Sequence, residues 1–455
     1  MVLLRSPLSS TPLSSTPQSS TPLSSTPLSS TPQSPPESST TSAPSPAQAE
    51  PITCDVAIVG GGLVGLTLAA ALKPSGLRVM LLDSQSRDAT LKRRRAYAIT
   101  LLSGRIFDGL GIWSGILPQL TTFSTIRLAD ATCPAVVDLQ PEDLGTSQLG
   151  YVVEHHVLGE ALQQAIAEMK GLHWWDRTTV TTMVTQAKVA TLQVQRDNTA
   201  YLVQAQLVVA ADGARSPLRQ QAKIKTDGWK YWQSCVTAVI KPEHSHEDIA
   251  REHFWPSGPF ATLPLPGNRC QIVLTAPHAE AQAYMDMSDA EFLAVLDQRY
   301  SHQLGRLELV TPRMLFPVQL MNSRHYVQPR LALVGDAAHC CHPVGGQGMN
   351  LGIRDAAALA QVLTIAGQQG QDLGSLTVLN RYEHWRWWEN LAILGFTDTL
   401  DRAFSCAWWP LQVTRRLLLR LMRRQRWLKT AALWVMTGGL GRSPTLATSG
   451  QKLTD

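Results

Sequence analysis

The glycines at 60, 62 and 65 are spaced for one task, bringing a backbone close to a phosphate. In Gly60-Gly61-Gly62-Leu63-Val64-Gly65, the first glycine of the motif permits a tight turn and Gly62 lets the chain approach a pyrophosphate. Gly65 lets a following helix pack against a sheet. Bare N–H groups and the dipole at the start of that helix favour the phosphate charge. Asp83 follows Gly65 by eighteen residues, where a carboxylate can accept hydrogen bonds from a ribose diol. The motif alone suits FAD and NAD equally. Two further groups extend it. Asp212-Gly213 forms a turn, and Gly335-Asp336-Ala337-Ala338-His339 leads to Pro343-Val344-Gly345-Gly346-Gln347-Gly348-Met349-Asn350, a second polar cradle at a helix start. Two cradles and an Asp-Gly turn, each at a strand end, point to one long ligand across a sheet.

The elements that hold these groups are legible around them. Cys54–Val59, Arg78–Leu82, Leu207–Ala211 and Leu331–Val334 are short apolar runs suited to buried parallel strands. Helical text follows the first turn at Leu66–Leu72, and Asn350 opens another helix through Asp355 to about Ile365. Residues 54–72 are apolar enough to suggest a membrane span, but Asp55 and the glycines favour a phosphate turn. Between 223 and 320 the text changes. Val236–Ile240, Cys270–Leu274 and Arg313–Gln319 read as strands separated by turns such as Pro266-Gly267-Asn268, which predicts an antiparallel sheet. Pro256–Pro266, with four prolines, is expected to line a substrate pocket beneath it.

Residues 8–32 repeat Ser-Ser-Thr-Pro plus Leu or Gln with a period of five, and only Arg5, Glu37 and Glu50 are charged in the first fifty. Such a segment has too little apolar surface to offset its ordering entropy and is expected to be a disordered tether. The seven cysteines are odd in number and lack a Cys-x-x-Cys pair, which supports neither a disulfide framework nor a zinc site. With no apolar signal segment at the start, this favours a reducing, cytoplasmic setting. His155-His156 and His244-x-His246 lack further ligands at clear spacing, so no metal is expected. Net charge is +5, yet residues 402–455 alone carry +9. In that basic segment Arg416, Arg420, Arg423 and Arg424 share one side of a helix, and Leu417, Leu418, Leu421, Met422 and Leu428 largely the other; Arg415, Leu419 and Arg426 break the pattern. Residues 411–429 therefore read either as a membrane-interface helix or as a packed helix with a solvated basic face. Basic residues set among leucines do not form a nucleic-acid recognition module, so no nucleic-acid partner is expected.

The three motifs together resemble the single-component FAD-dependent aromatic hydroxylases, the class of para-hydroxybenzoate hydroxylase. The match rests on Gly60–Gly65 with Asp83, on Asp212-Gly213 with Ser216 and Arg219, and on Gly335-Asp336 through Asn350. Gly-Asp-Ala-Ala-His, His342-Pro343, and Gly346-Gln347-Gly348-Met349-Asn350-Leu351-Gly352-Ile353-Arg354-Asp355-Ala356 look most like the ubiquinone-biosynthesis branch. Arg95–Thr100, Gly150–Leu162, Phe260–Pro264 and Thr397-Asp398 with Leu400 extend the likeness, which covers about 52–430. It implies an α/β chain, α+β overall. A discontinuous Rossmann-like FAD domain (51–125, 148–222, 321–372) is interleaved with a substrate domain (126–147, 223–320), and a helical region (373–455) follows. It also implies that FAD lies along Gly60, Gly62, Leu63, Val64, Gly65, Asp212, Gly213 and Gly335. Asp83 would hold the adenosine ribose, Arg95 would lie near the pyrophosphate, and Asp336 would hold the ribityl chain. The loop Pro343–Asn350 would face the flavin ring, with Pro343 and Gly346 beside it.

No side chain is assigned as a catalytic base, and His339 is expected to serve structure or hydrogen bonding. Asp83 replaces a more usual Glu, and His155 stands where the family often has Asn. The implied reaction is hydroxylation of an aromatic, prenylated phenol by O2 through a flavin hydroperoxide. NAD(P)H would be a transient reductant, since no second Gly-x-Gly-x-x-Gly is present. The prenylated substrate favours peripheral membrane association. Alternatives are a prenyl reductase, a halogenase or a non-catalytic flavin-binding scaffold. Trp385-Arg386-Trp387-Trp388-Glu389-Asn390 does not complete the Trp-x-Trp-x-Ile-Pro of halogenases.

Overall fold

The computed structural model describes residues 50–406 and 408–449, so the N-terminal repeat and its expected disorder lie outside the described residues. Two large sheets and one small sheet carry the fold. The first runs in the order Val327–Gln328, Leu331–Leu333, Thr199–Ala210, Ile52–Val59, Val79–Leu82, Leu172–Trp175. Ala190–Arg196 and Thr178–Thr185 extend it as antiparallel strands beside Thr199–Ala210. From Leu331–Leu333 to Leu172–Trp175 all neighbours are parallel. Parallel strands are covered on both faces, and Val56, Ala57, Ile58, Val208 and Val209 are accordingly fully buried. This is the physical origin of the unbroken apolar runs.

The second sheet has nine strands, and its path begins at His339–Cys340 and ends at Cys133–Leu139. The predicted strands at 236–240, 270–274 and 313–319 are parts of the longer Thr226–Pro242, Arg269–Pro277 and Met314–Ser323. Their pairing is antiparallel, as expected. Thr125–Asp130 and Cys133–Leu139 join the same sheet far from it in sequence, through a parallel pairing with Ile249–Trp255. Ala96–Thr100, Gly150–Glu154 and Thr121–Phe123 form a three-stranded sheet.

One helix ties the large sheets together. Leu376–Ser405 has 30 residues, a length of about 45 Å at 1.5 Å per residue. Near one end the Tyr382 hydroxyl donates to the Leu333 carbonyl in the first sheet. Near the other the Tyr231 hydroxyl of the second sheet donates to Asp398 at 2.6 Å. Phe404 stacks on Phe254 with ring centroids 3.8 Å apart. Two further helices, Trp409–Arg424 and Arg426–Thr437, close the chain's helical end.

The residues that broke the amphipathic pattern decide how the first of these helices sits. Arg415 and Leu419, one turn apart, are its buried residues. Arg415 donates to Asp130 at 2.8 Å and to the Phe404 carbonyl at 2.7 Å. The leucines of the other face are exposed: Leu417 at 63%, Leu418 at 46% and Leu421 at 43%. Among the described residues no helix is long and apolar enough to cross a membrane.

Candidate functional site

The three motifs meet at one edge of the first sheet, beyond the carboxyl ends of its parallel strands. Ile52–Val59 runs into Gly60, Val79–Leu82 into Asp83, Thr199–Ala210 toward Asp212, and Leu331–Leu333 toward Gly335. Ligands of open parallel sheets bind at this edge. The first helix, Leu63–Ala71, lies against the helix Gln347–Gln368 that follows the third motif. Val64 is the close point. A Cβ on Gly352 would lie 2.6 Å from Val64 Cγ2, and one on Gly335 would lie 3.2 Å from its methyls. Glycine at both positions lets the two cradles stand side by side.

The glycines of the first motif divide into closed and open positions. A Cβ on Gly65 would stand 1.9 Å from the Gly60 carbonyl oxygen, and Gly60 itself has φ +113. Gly62 differs, since the nearest heavy atom to a Cβ there is Arg93 Nη1 at 4.0 Å. Gly213 has nothing within 4 Å. Both positions leave space beside the backbone. No side chain caps Leu63–Ala71 or Gln347–Gln368, a state they share with helices such as His155–Ala167 and Leu376–Ser405. Standing at the edge where the three motifs meet, these two starts can offer first-turn N–H groups to an anionic ligand.

Asp83 is drawn into the turn. Its carboxylate accepts from the Gly61 N–H at 2.5 Å and from the Gln85 N–H at 2.6 Å. An ionised carboxylate has about four acceptor positions, so it keeps capacity for ribose hydroxyls. Its short side chain makes the turn and the strand end one unit. Asp212 accepts from the Leu218 N–H at 3.3 Å through Oδ2, while Oδ1 is buried with no hydrogen-bond partner among the described residues. Burial raises its carboxyl above the usual range. Arg219 joins the second motif to the third by donating to the carbonyls of Ala214 at 2.8 Å and Ala337 at 2.7 Å.

Asp336 is solvent-accessible yet stands deep between the elements. That depth pushes its carboxyl up, against the pull of His339 and Arg95. Arg95 is exposed, with its guanidinium 3.7 Å from the centroid of the Phe316 ring. His339 is buried and faces Asp355 at 2.6 Å. Asp355 also accepts from the Gly335 N–H at 3.1 Å, Arg386 at 2.8 Å and Asn390 at 3.0 Å. Burial would raise the Asp355 carboxyl, but His339 and Arg386 hold it well below the carboxylate range.

The loop before the second site helix turns through left-handed residues, Gly345 at φ 71 and Gly346 at φ 60. Asn350 is completely buried and holds the loop to the strand Ala96–Thr100. Its amide donates to the carbonyls of Ala98 at 2.8 Å and Gly346 at 2.9 Å, and its oxygen accepts from the Thr100 N–H at 2.9 Å. The Asn350 side chain thus positions the loop and has no spare group for a ligand. Gln347 is 2% exposed and donates to the carbonyls of Gly345 and Met436, both at 3.1 Å. Gly348 and Met349 continue the uncapped first turn behind Pro343.

Sequence reasoning missed a buried network under this loop. His342 Nδ1 accepts from the Val344 N–H at 3.2 Å, which places the ring proton on Nε2. That nitrogen faces Gln233 Oε1 at 3.3 Å and Asp401 at 3.5 Å. Burial lowers the His342 imidazole to about 3 and raises the Asp401 carboxyl to about 6. His155, left without a role, faces the Thr90 carbonyl at 2.8 Å and the Tyr97 hydroxyl at 3.0 Å. No spacing in the sequence joins these residues, so no local signal could reveal either group.

The residues present fit FAD: two uncapped helix starts, an open face at Gly62 and Gly213, an orphaned Asp212 oxygen and an accessible Asp336. Comparison with known proteins agrees. Residues 53–387 match the FAD binding domain family. An uncharacterised Synechocystis protein is 48% identical over 88% of this chain and 96% of its own. The ubiquinone hydroxylase UbiL of Rhodospirillum rubrum is 36% identical over 88% of this chain and 94% of its own. The crystal structure of p-nitrophenol 4-monooxygenase PnpA from Pseudomonas putida shares the fold, with TM-score 0.73 at 20% identity over 86% of this chain and 99% of that one. The chain belongs to the FAD binding domain family and, within it, to the flavin-dependent monooxygenases that include the ubiquinone hydroxylases.

Proposed function

We propose that the protein hydroxylates the aromatic ring of a prenylated phenol in the biosynthesis of ubiquinone or a related quinone. One observation carries this reading. Similarity to the ubiquinone hydroxylase UbiL extends over 88% of the chain and so takes in the second sheet as well as the cofactor edge. The bound flavin supplies hydride acceptance from NAD(P)H and activation of O2. The protein supplies position and field. Asp83 and the N–H groups at Leu63–Gly65 hold the adenosine half, Asp336 holds the ribityl chain, and Arg95 lies near the pyrophosphate. The start of Gln347–Gln368 offers its dipole and N–H groups to negative charge on the reduced ring. Pro343 and Gly346 lie beside that ring. Deletion of the gene, followed by mass spectrometry of quinone precursors, is expected to show an under-hydroxylated prenylphenol. An unchanged quinone pool together with no phenol-stimulated NAD(P)H oxidation by the purified protein would favour a flavin-binding scaffold.

The same reading places the protein on an anionic membrane surface, where such a substrate resides. Trp408, Trp409, Leu417, Leu418, Leu421 and Trp427 are exposed together with Arg420, Arg423 and Arg424. Exposed aromatic and aliphatic side chains among arginines suit the headgroup layer, where each arginine contributes about 1 kcal/mol. The double substitution Leu417→Glu, Leu421→Glu removes apolar surface at two exposed positions. It is expected to abolish cosedimentation with phosphatidylglycerol vesicles and leave flavin content unchanged. Cosedimentation equal to wild type would refute this surface.

A further inference from the structure

On the strand Ile249–Trp255, Ala250, Glu252 and Phe254 share one face by strand alternation. Ala250 and Phe254 belong to an apolar cluster with Val152, Val239, Leu265 and Val344. Glu252 is the carboxyl in that setting. Its Oε2 is 3.5 Å from the Gly345 nitrogen, in the loop assigned to the flavin ring, and its Oε1 is buried with no hydrogen-bond partner among the described residues. Leu128 and Ala261 flank it in the sheet. Burial raises the carboxyl to about 7, and only the Gly345 N–H pulls it down. The titratable and charged groups of the surrounding elements, His342 in the loop, Asp401 in the long helix and Arg127 and Arg251 in the strands, are not among the causes of its shift. The titratable group it does influence is the Cys235 thiol, itself raised to about 12, and Arg95 acts on that thiol from the cofactor side.

A buried carboxyl with a free oxygen costs stability and calls for a use. Electrophilic oxygen transfer to an aromatic ring is faster when the ring hydroxyl has lost its proton. We propose that Glu252 Oε1 is the acceptor for the proton of the substrate's ring hydroxyl. The O–H bond breaks toward Glu252, and its electron pair stays on the phenol oxygen and enriches the ortho and para carbons. The O–O bond of O2, reduced by the two electrons of the NAD(P)H hydride, then breaks: one oxygen forms the new C–O bond as a hydroxyl, and the other leaves as water with protons drawn from solvent. The ring carbon's proton passes to solvent, which restores aromaticity, and Glu252 returns its own proton to the phenol oxygen. The assignment rests on the phenol reading of the site.

Oxidised holoenzyme without NAD(P)H, titrated with 2-(3-methylbut-2-enyl)phenol, tests it by perturbation of flavin absorbance. A phenol bound to ionised Glu252 makes a charge-assisted hydrogen bond, so affinity is expected to rise about tenfold from about pH 5.5 to about 8.5. Glu252→Gln keeps the shape and is expected to bind at the low-pH level throughout. Equal affinity at all pH in wild type, or a rise retained in Glu252→Gln, overturns the role of Glu252 and leaves the hydroxylase reading standing. The wild-type profile decides alone if the variant loses FAD. No perturbation by the phenol at any pH in wild type overturns the phenol reading and the assignment with it.

Discussion

Gly65→Ala is expected to yield a colourless protein. Alanine normally stabilises a helix by about 1 kcal/mol over glycine. Here the added methyl would lie 1.9 Å from the Gly60 carbonyl oxygen and 3.1 Å from its carbon. Both atoms are backbone, in a turn that cannot retreat, because Gly60 is closed in by Ala211. The helix must move away by more than 1 Å to reach ordinary contact, carrying its first-turn N–H groups out of register with the phosphate. Overpacking of this kind costs about 1–3 kcal/mol, so the clash exceeds the propensity gain. Gly395→Ala provides the control. It lies within Leu376–Ser405, and a methyl there meets nothing within 4 Å. That variant is expected to keep its flavin and gain about 1 kcal/mol. Flavin absorbance of the purified proteins and urea denaturation check both. Full flavin occupancy in Gly65→Ala would show that the turn is not the cofactor cradle.

What the sequence reveals follows from how local each constraint is. Gly60–Gly65, Asp83 and the Gln347–Asn350 turn are written in short spacings, because a turn and the helix after it are made by neighbouring residues. The buried strands are legible for the same reason. Partnerships across the chain are not. Asp401 meets His342 and Gln233 only because the long helix crosses the second sheet, and Glu252 meets Gly345 across 93 residues. The periodicity of 411–429 supplied two faces but not which one packs. That choice depends on Asp130, 285 residues before Arg415 and buried where a cation must meet it. Asn350 shows a subtler gap. Its position in the motif suggests ligand contact, yet its side chain is spent on holding Ala98, Thr100 and Gly346.

Asp355→Ala is expected to lose FAD by a different route, through the protein's stability. Asp355 is fully buried and accepts from the Gly335 N–H, Arg386 and Asn390, with His339 against it. Alanine leaves Arg386, 1% exposed, as a buried cation with Glu389 as its remaining carboxylate partner. Breaking one side of a buried pair costs about 3–5 kcal/mol, a large part of the roughly 5–15 kcal/mol that holds a domain together. The sign with pH follows from the lowered carboxyl. Its contribution is complete above the unfolded value of about 3.9 and fades as pH falls toward the folded one. The difference in stability from wild type is therefore expected to be constant from about pH 5 to 8 and to shrink below about pH 4. Asp336→Ala separates the two roles. It removes an accessible carboxyl from the turn next to Gly335, so it is expected to purify colourless while the apoprotein's stability stays within about 0.5 kcal/mol of wild-type apoprotein. Urea denaturation of the apoproteins distinguishes them. Equal losses of stability would mean that Asp336, like Asp355, serves the fold, and the ribityl contact would pass to another residue of the groove.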